Sequence, residues 1–157
     1  MKIVYLSLIA LMLSFAQTTK AQNCAPIAAA DLRRMLVELG YEVKDANTTV
    51  DKEKYEISIL SGGLNVPIRL ELSGSKGYIW LTAYLGKTFA DSSPKNWALL
   101  KRNAVIQPSQ FYVTEAGNLM MALPVENRGV TNVTLRKATE MLSTRVSENK
   151  LYWQQTP

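Results

Sequence analysis

The stretch NWALLKRNAVIQPSQFYVTEAGNLMMALPVE, residues 96–126, decides the fold. Its first part has apolar residues at helical spacing and predicts a helix, which must stop by Pro108 because proline cannot continue it. Two segments of alternating apolar and polar residues follow, 111–115 and 119–125. They flank a turn at Gly117, so the second part predicts a β-hairpin.

Upstream of this stretch, three further segments have the alternation expected of β-strands. They cover residues 55–59, 66–72 and 78–85. Gly62-Gly63 separates the first two, and the turn-rich residues 74–77 separate the second from the third. The pattern therefore predicts an antiparallel meander of three strands, with the polar segment that precedes it forming a loop or a short strand.

The third strand of this meander is apolar on both sides. One side presents Ile79, Leu81, Ala83 and Leu85, and the other presents Tyr78, Trp80 and Tyr84. A strand that is apolar on both faces is typical of a sheet covered on both faces. We therefore expect something to pack against each side of this strand.

Two more helices are predicted besides the middle one. The first covers residues 31–39 and stops at Gly40, and the last follows a cap at Thr131. The middle helix begins with Ser93 as its cap and Pro94 in the first helical position, and Trp97, Leu100 and Ala104 share one of its sides. The expected fold is α+β, an antiparallel sheet of about five strands with three helices in the order α-β-β-β-α-β-β-α.

The first 21 residues have the composition of a secretory signal peptide. Lys2 precedes an apolar run from Ile3 to Phe15, and small residues lie at Thr19 and Ala21 before the expected cleavage site. The apolar run is short for a membrane span of about 20 residues. The prediction is a signal peptide at residues 1–21 and a single domain at 22–157, periplasmic or secreted, with no stable membrane insertion after cleavage.

Charge and cysteine content narrow the possible partners. The precursor has a formal charge of +5, and removal of two lysines leaves 16 basic against 13 acidic residues, or +3. These charges are scattered along the chain, which argues against a nucleic-acid partner.

Cys24 is the single cysteine, so no internal disulfide can form and packing must stabilise the domain. Whether Cys24 is modified stays open.

The sequence lacks the residues on which the commonest catalytic and metal sites depend. It contains no histidine, which excludes imidazole bases and ordinary zinc sites. Residues 45–56 place oxygen ligands at some positions of a calcium loop, but Val50 stands where the loop needs glycine. SSPK at 92–95 matches a Ser-Lys motif, yet helix capping explains its serines. We expect no enzyme and no catalytic, cofactor or metal residue.

The order of elements, together with the 96–126 stretch and the meander before it, resembles the type III secretion chaperone-like fold. The pattern that carries the likeness is Leu100, Asn103, Phe111, Gly117 and Leu119. Within that fold the chain is most similar to the bacterial sensory transduction regulator family, over about residues 27–153. The resemblance implies a noncatalytic, commonly dimeric domain whose sheet and helices contact a partner polypeptide. The export signal and the basic charge are departures from the secretion chaperones.

The residues that we select for function are aromatic. Tyr78, Trp80, Tyr84 and Trp97 are predicted to form a homodimer or partner interface, where Tyr and Trp are favoured as anchors. The alternative is that Trp80 and Trp97 pack on each other as a second core layer. Another hypothesis is a periplasmic sensor domain that binds a small ligand in a pocket lined by Trp80, Met120 and Met121.

Overall fold

The computed structural model describes residues 25–89 and 93–154. The chain forms helices and strands in the following order: α1 (Ala29–Glu38), β1 (Lys44–Asn47), β2 (Lys54–Ser61), β3 (Leu64–Leu72), β4 (Tyr78–Lys87), α2 (Pro94–Asn103), β5 (Gln110–Val113), β6 (Asn118–Glu126), α3 (Asn132–Glu148) and α4 (Lys150–Trp153). The segment assigned to the signal peptide lies outside the described residues. Within the described residues no helix has the length and apolar character needed to cross a membrane.

The six strands form one sheet in the order β1-β2-β3-β4-β6-β5, and each neighbouring pair is antiparallel. The connection from β4 to β5 passes through α2, and β6 rather than β5 pairs with β4, which makes β5 an edge strand. The part of the sheet formed by β3, β4, β6 and β5 contains most of its aromatic residues, and β4 and β6 are the two inner strands of that part.

The core lies between one face of the sheet and the helices. Inward residues of β4, namely Ile79, Leu81 and Ala83, are buried in one cluster with residues of α1, α2 and α3. The members contributed by the helices are Leu32, Met35, Leu36, Leu99, Leu135, Ala138, Leu142 and Val146. The amphipathic stripes of α1 and α3 thus face the sheet, as their spacing predicts.

The opposite side of β4 lacks the cover that the sequence predicted. We expected cover on both faces, but Tyr78 and Tyr84 are 50% and 53% exposed, and Trp80 is only half-buried. The helices that carry core residues pack on the other side of the sheet, because the core cluster draws its β4 members from Ile79, Leu81 and Ala83. The fold described here is therefore two-layered, with one apolar sheet face left open.

The predicted α+β class and the order of its eight elements are confirmed, and the structure adds β1 and α4. β1 has the sequence KDAN, which carries no apolar alternation, and it lies in the polar segment for which the sequence predicts a loop or a short strand. It pairs with β2 all the same, and Arg33 of α1 binds its Asp45 through Nε and Oδ1 at 2.8 Å. Backbone pairing and an ion pair, rather than side-chain burial, hold this edge strand.

Helix α2 begins as predicted. The Ser93 hydroxyl accepts a hydrogen bond from the Lys95 amide at 3.3 Å, and Pro94 occupies the first turn. The side that it buries differs from the amphipathic pattern, because Leu99 enters the core while Trp97 and Leu100 are 69% and 60% exposed. The prediction that Trp80 and Trp97 form a second core layer is therefore wrong: Trp97 faces outward on a helix that packs on the other side of the sheet.

Candidate protein-interaction surfaces

The first candidate surface is the uncovered side of the sheet, which we call the open face. It consists of outward residues on β4, β5 and β6: Tyr78, Trp80, Thr82, Tyr84, Gln110, Tyr112, Met120, Ala122 and Pro124. Strand pairing brings them together, since Trp80 lies opposite Pro124, Thr82 opposite Ala122 and Tyr84 opposite Met120. Three of the four predicted site residues, Tyr78, Trp80 and Tyr84, thus share one surface.

The open face has a charged border on β2 and β3. Arg69 binds Glu56 at 2.9 Å, and Lys54 binds Glu71 at 2.7 Å, both as cross-strand ion pairs. Exposed pairs of this kind add little to stability. They do divide the sheet surface into a polar half and an aromatic half, which is the arrangement of a protein interface with a polar rim.

The aromatic half contains a distinct groove, which we call the slot. It has a volume of about 380 Å³ and is lined by Glu71, Trp80, Thr82, Gln110, Tyr112 and Ala122. Tyr112 was not selected from the sequence, because its position on a four-residue strand gives no sign that it lines a groove together with Trp80 of β4. Its pKa is raised, first by burial and then by the negative charge of Glu71. The hydroxyl of Tyr112 and the carboxylate of Glu71 are therefore within electrostatic reach of each other.

The second candidate surface surrounds Trp97, the fourth predicted residue. The α2 patch consists of Trp97, Leu100 and Val113, and Val105 follows at its end with 64% exposure. Beside the patch, a groove of about 320 Å³ runs between α2 and β5, with Leu99, Leu100, Phe111 and Val113 among its lining residues. The structure therefore separates Trp97 from the other three predicted residues.

The pocket predicted for a small ligand does not form from the three residues named for it. Met120 and Met121 are neighbours on β6 and point to opposite faces, because side chains alternate along a strand. Met121 is fully buried in the core, whereas Met120 lies opposite Tyr84 on the open face. Trp80 can share a surface with Met120 but not with Met121.

The described residues hold no cluster of three or more cysteine, aspartate or glutamate side chains arranged to bind a metal ion. Two carboxylates of the partial calcium-loop pattern bind arginines instead: Asp45 binds Arg33, and Glu56 binds Arg69. Both carboxylates thus neutralise arginines within the fold.

Comparison with solved structures identifies relatives in fold. One is a chain of the heterodimeric ExoU-SpcU complex from the type III secretion system of Pseudomonas aeruginosa, with a TM-score of 0.55 and 15% identity over 78% of this chain and 98% of that one. Another is a chain of the HopA1-SchA chaperone-effector complex, with a TM-score of 0.52 and 11% identity over 83% of this chain and 100% of that one.

The chain has a type III secretion chaperone-like fold. This confirms the coarser part of the resemblance, since one fold relative comes from a type III secretion complex and the other from a chaperone-effector complex. No family model matches the sequence, and no curated protein matches it. The narrower likeness to the sensory transduction regulator family stays a prediction. In the chaperone-like fold of this chain, the open face and the α2 patch are the two surfaces with exposed aromatic residues that we consider for function.

Proposed function

We propose that this protein is an exported, noncatalytic protein-binding domain that holds a segment of a partner polypeptide on its open face. The role is chaperone-like or regulatory. The observation that carries the proposal is that Tyr78 and Tyr84 are exposed and Trp80 is half-buried on the central strand β4, where an apolar sheet face has no covering layer among the described residues. Aromatic residues that are exposed in the free protein and clustered on one rigid sheet are the residue types that dominate binding energy at interfaces.

The fold likeness supports this proposal. The two fold relatives come from complexes described as heterodimeric and as chaperone-effector. The residues of the open face lie on paired strands rather than on loops, so the face offers a partner segment an ordered surface.

We further propose that the protein forms a homodimer through the α2 patch. Trp97, Leu100 and Val113 expose large apolar side chains next to the groove between α2 and β5. An exposed apolar cluster of this kind marks a contact surface in soluble proteins. Because the patch lies apart from the open face, a dimer formed there leaves the open face of each subunit available to a partner.

The proposal of export, to the periplasm or beyond the cell, depends on the charged start, apolar run and small-residue site in residues 1–21. Cell fractionation of the full-length chain, followed by N-terminal sequencing of the mature protein, tests it. A mature protein that begins near residue 22 in the periplasmic fraction or the medium is expected, and an intact N-terminus in the cytoplasm would contradict export.

To test partner binding, the full-length chain would carry a C-terminal tag in a bacterial host and be crosslinked gently in cells, with copurifying proteins identified by mass spectrometry. Trp80→Glu places a charge at the centre of the open face and is expected to remove a stoichiometric partner. Asn65→Glu is the matched control, because Asn65 is exposed on the same sheet face but on the polar half. Equal capture by both variants would refute partner binding on the open face.

The dimer is tested separately by light scattering during size-exclusion chromatography. Trp97→Glu is expected to convert a dimer into a monomer, while Trp80→Glu leaves the mass unchanged. A wild-type chain that remains monomeric at all concentrations tested would contradict the dimer without affecting the partner-binding proposal.

A further inference from the structure

The slot on the open face has features of a site for one particular side chain. Its floor is made of two small residues that lie directly opposite each other on neighbouring strands, Thr82 and Ala122. Trp80 and Tyr112 are taller and line the slot beside this floor. The slot is therefore a recess of about 380 Å³ that is bordered by two aromatic side chains, with Ala122 buried at its base.

The slot also contains a carboxylate, which is paired with a lysine. Glu71 lines it and is the direct cross-strand neighbour of Trp80 on one side and of Lys54 on the other. Lys54 binds Glu71 Oε2 at 2.7 Å and is outside the slot lining. The raised pKa of Tyr112 reflects burial first and then the same carboxylate, and both residues line the slot.

Two aromatic residues beside a carboxylate favour a cation over a neutral group. Aromatic faces attract cations, and a carboxylate adds a charge-assisted hydrogen bond. A guanidinium group suits such a site better than an ammonium group, because it is planar, stacks on aromatic rings and donates to a carboxylate in a fixed geometry. The nearest arginine on this part of the sheet, Arg69, binds Glu56 instead.

We propose that the slot receives an arginine side chain of the partner polypeptide, with its guanidinium stacked on Trp80 and Tyr112 and hydrogen-bonded to Glu71. This inference rests on the proposed function, since it specifies the chemistry of the segment held on the open face. Lys54 acts as an internal competitor, because it neutralises the same carboxylate from the opposite side.

The test uses the purified mature protein labelled with ¹⁵N and titrated with N-acetyl-arginine amide, followed by NMR at the tryptophan indole N–H signals. The three tryptophans make this measurement self-controlled. Trp80 lies in the slot, Trp97 is exposed on α2, and Trp153 is held by a hydrogen bond from its indole N–H to the Val146 carbonyl at 2.8 Å. Indole signals are assigned by single Trp→Phe substitutions.

The Trp80 signal is expected to shift saturably with a Kd in the millimolar range, as is usual for a single small group. Trp97 should move only slightly and linearly. N-acetyl-norleucine amide, which is similar in length and uncharged, should leave Trp80 unaffected. A Trp80 signal that does not move, that follows the linear course of Trp97, or that responds equally to norleucine amide would overturn the proposal.

Two variants separate recognition from mere structural support. Glu71→Gln should weaken arginine-amide binding about tenfold, because it removes the charge and keeps the size. Lys54→Met should strengthen binding, because it frees the carboxylate. If the ion pair only supported the sheet, both variants would change binding in the same direction, and that result would also overturn the proposal. Amide spectra of both variants verify that the fold is intact.

The outcomes can be distinguished from those of the partner-binding test. Suppose that Trp80→Glu loses the partner but the wild-type protein does not bind arginine amide. This result would support partner binding on the open face and refute the arginine site alone. Partner capture that is unaffected by Trp80→Glu would instead refute binding on the open face.

Discussion

The side chain of Asn103 hydrogen-bonds both backbone groups of Phe111. Its Oδ1 accepts from the Phe111 N–H at 2.7 Å, and its Nδ2 donates to the Phe111 carbonyl at 3.1 Å. Phe111 lies opposite Met121 on the edge strand β5, and its backbone groups point away from β6. Asn103 therefore takes the place of a neighbouring strand at this residue and prevents an additional chain from pairing there, a common way to protect a sheet edge.

Asn103→Ala is expected to lower the free energy of unfolding by about 2–3 kcal/mol, because the backbone groups of a buried residue lose their partners. Asn103→Asp should be destabilising as well, since a carboxylate can accept from the Phe111 N–H but cannot donate to its carbonyl. Urea denaturation measures both effects. Lys101→Ala on the exposed side of the same helix is the control, and an equal loss in that variant would contradict a specific role for Asn103.

Gly62 and Gly63 form the two-residue turn between β2 and β3, with φ of +54° and +75°. A Cβ at Gly62 would lie 2.9 Å from Ser147 Cβ of α3, whereas a Cβ at Gly63 would meet no atom within 4 Å. Gly63→Ala should therefore cost about 1–2 kcal/mol of stability from backbone strain alone. Gly62→Ala should cost more, because steric contact with α3 is added.

The comparison of the two alanine variants by thermal unfolding isolates the contact with α3. A second substitution, Ser147→Gly, removes the clashing atom and should recover part of the loss in Gly62→Ala but none in Gly63→Ala. Equal stability of the two alanine variants would show that the turn does not rest against α3.

Asn127 is a fully buried polar residue that ties the start of the described chain to the sheet. Its side chain accepts from the Ile27 N–H at 3.3 Å and donates to the carbonyls of Ile27 at 3.1 Å and Lys76 at 2.8 Å. Asn127→Ala should cost about 2–3 kcal/mol, because these groups lose their partners within the protein.

Hydrogen exchange provides a local check on Asn127. In Asn127→Ala the Ile27 amide should exchange faster through local opening, at a free energy below that of global unfolding. Amides of α3 should keep their protection. Asn65→Ala, at an exposed position, is the control for asparagine removal. Uniform acceleration throughout the protein would argue against a local tie.

Arg33 and Asp45 predict a pH dependence. The hydrogen bond from Arg33 is the main cause that lowers the pKa of Asp45, and the attraction between the opposite charges adds to it. A carboxylate whose pKa is lower in the folded state contributes stability above its unfolded pKa, and this contribution is lost as pH falls through the folded value. The stability difference between wild type and Arg33→Gln should therefore shrink on acidification.

The measurement is urea denaturation of both proteins from neutral to strongly acidic pH, with the Asp45 carboxyl followed by NMR titration. Arg33→Gln should raise the Asp45 pKa toward its ordinary value. Asp45→Asn should abolish the same pH-dependent difference, and the double variant should add nothing further. A constant difference at all pH values would show that the pair does not act through this carboxylate.

Much of the fold was predictable because the decisive signals are local. Ser93 and Pro94 begin α2 as capping chemistry predicts, and the alternation in β2, β3, β4 and β6 marks strands that each bury one face. For the segment that contains strand β1 the sequence predicted a loop or a short strand without deciding between them, since its polar residues carry no such signal. Asn103 was named as part of the family pattern, but its hydrogen bonds to Phe111 could not be predicted, because they depend on β5 packing beside α2 in the folded chain.

The sequence by itself determined the α+β class, the order of the main elements and the absence of histidine chemistry, because periodicity, caps and composition depend only on nearby residues. The tertiary structure decided which apolar surfaces stay exposed. Both sides of β4 are apolar, and α2 can bury either Leu99 or Trp97, so local pattern cannot choose between them. Packing of the helices on a single sheet face buried Ile79 and Leu99, and it left Trp80 and Trp97 on two separate surfaces.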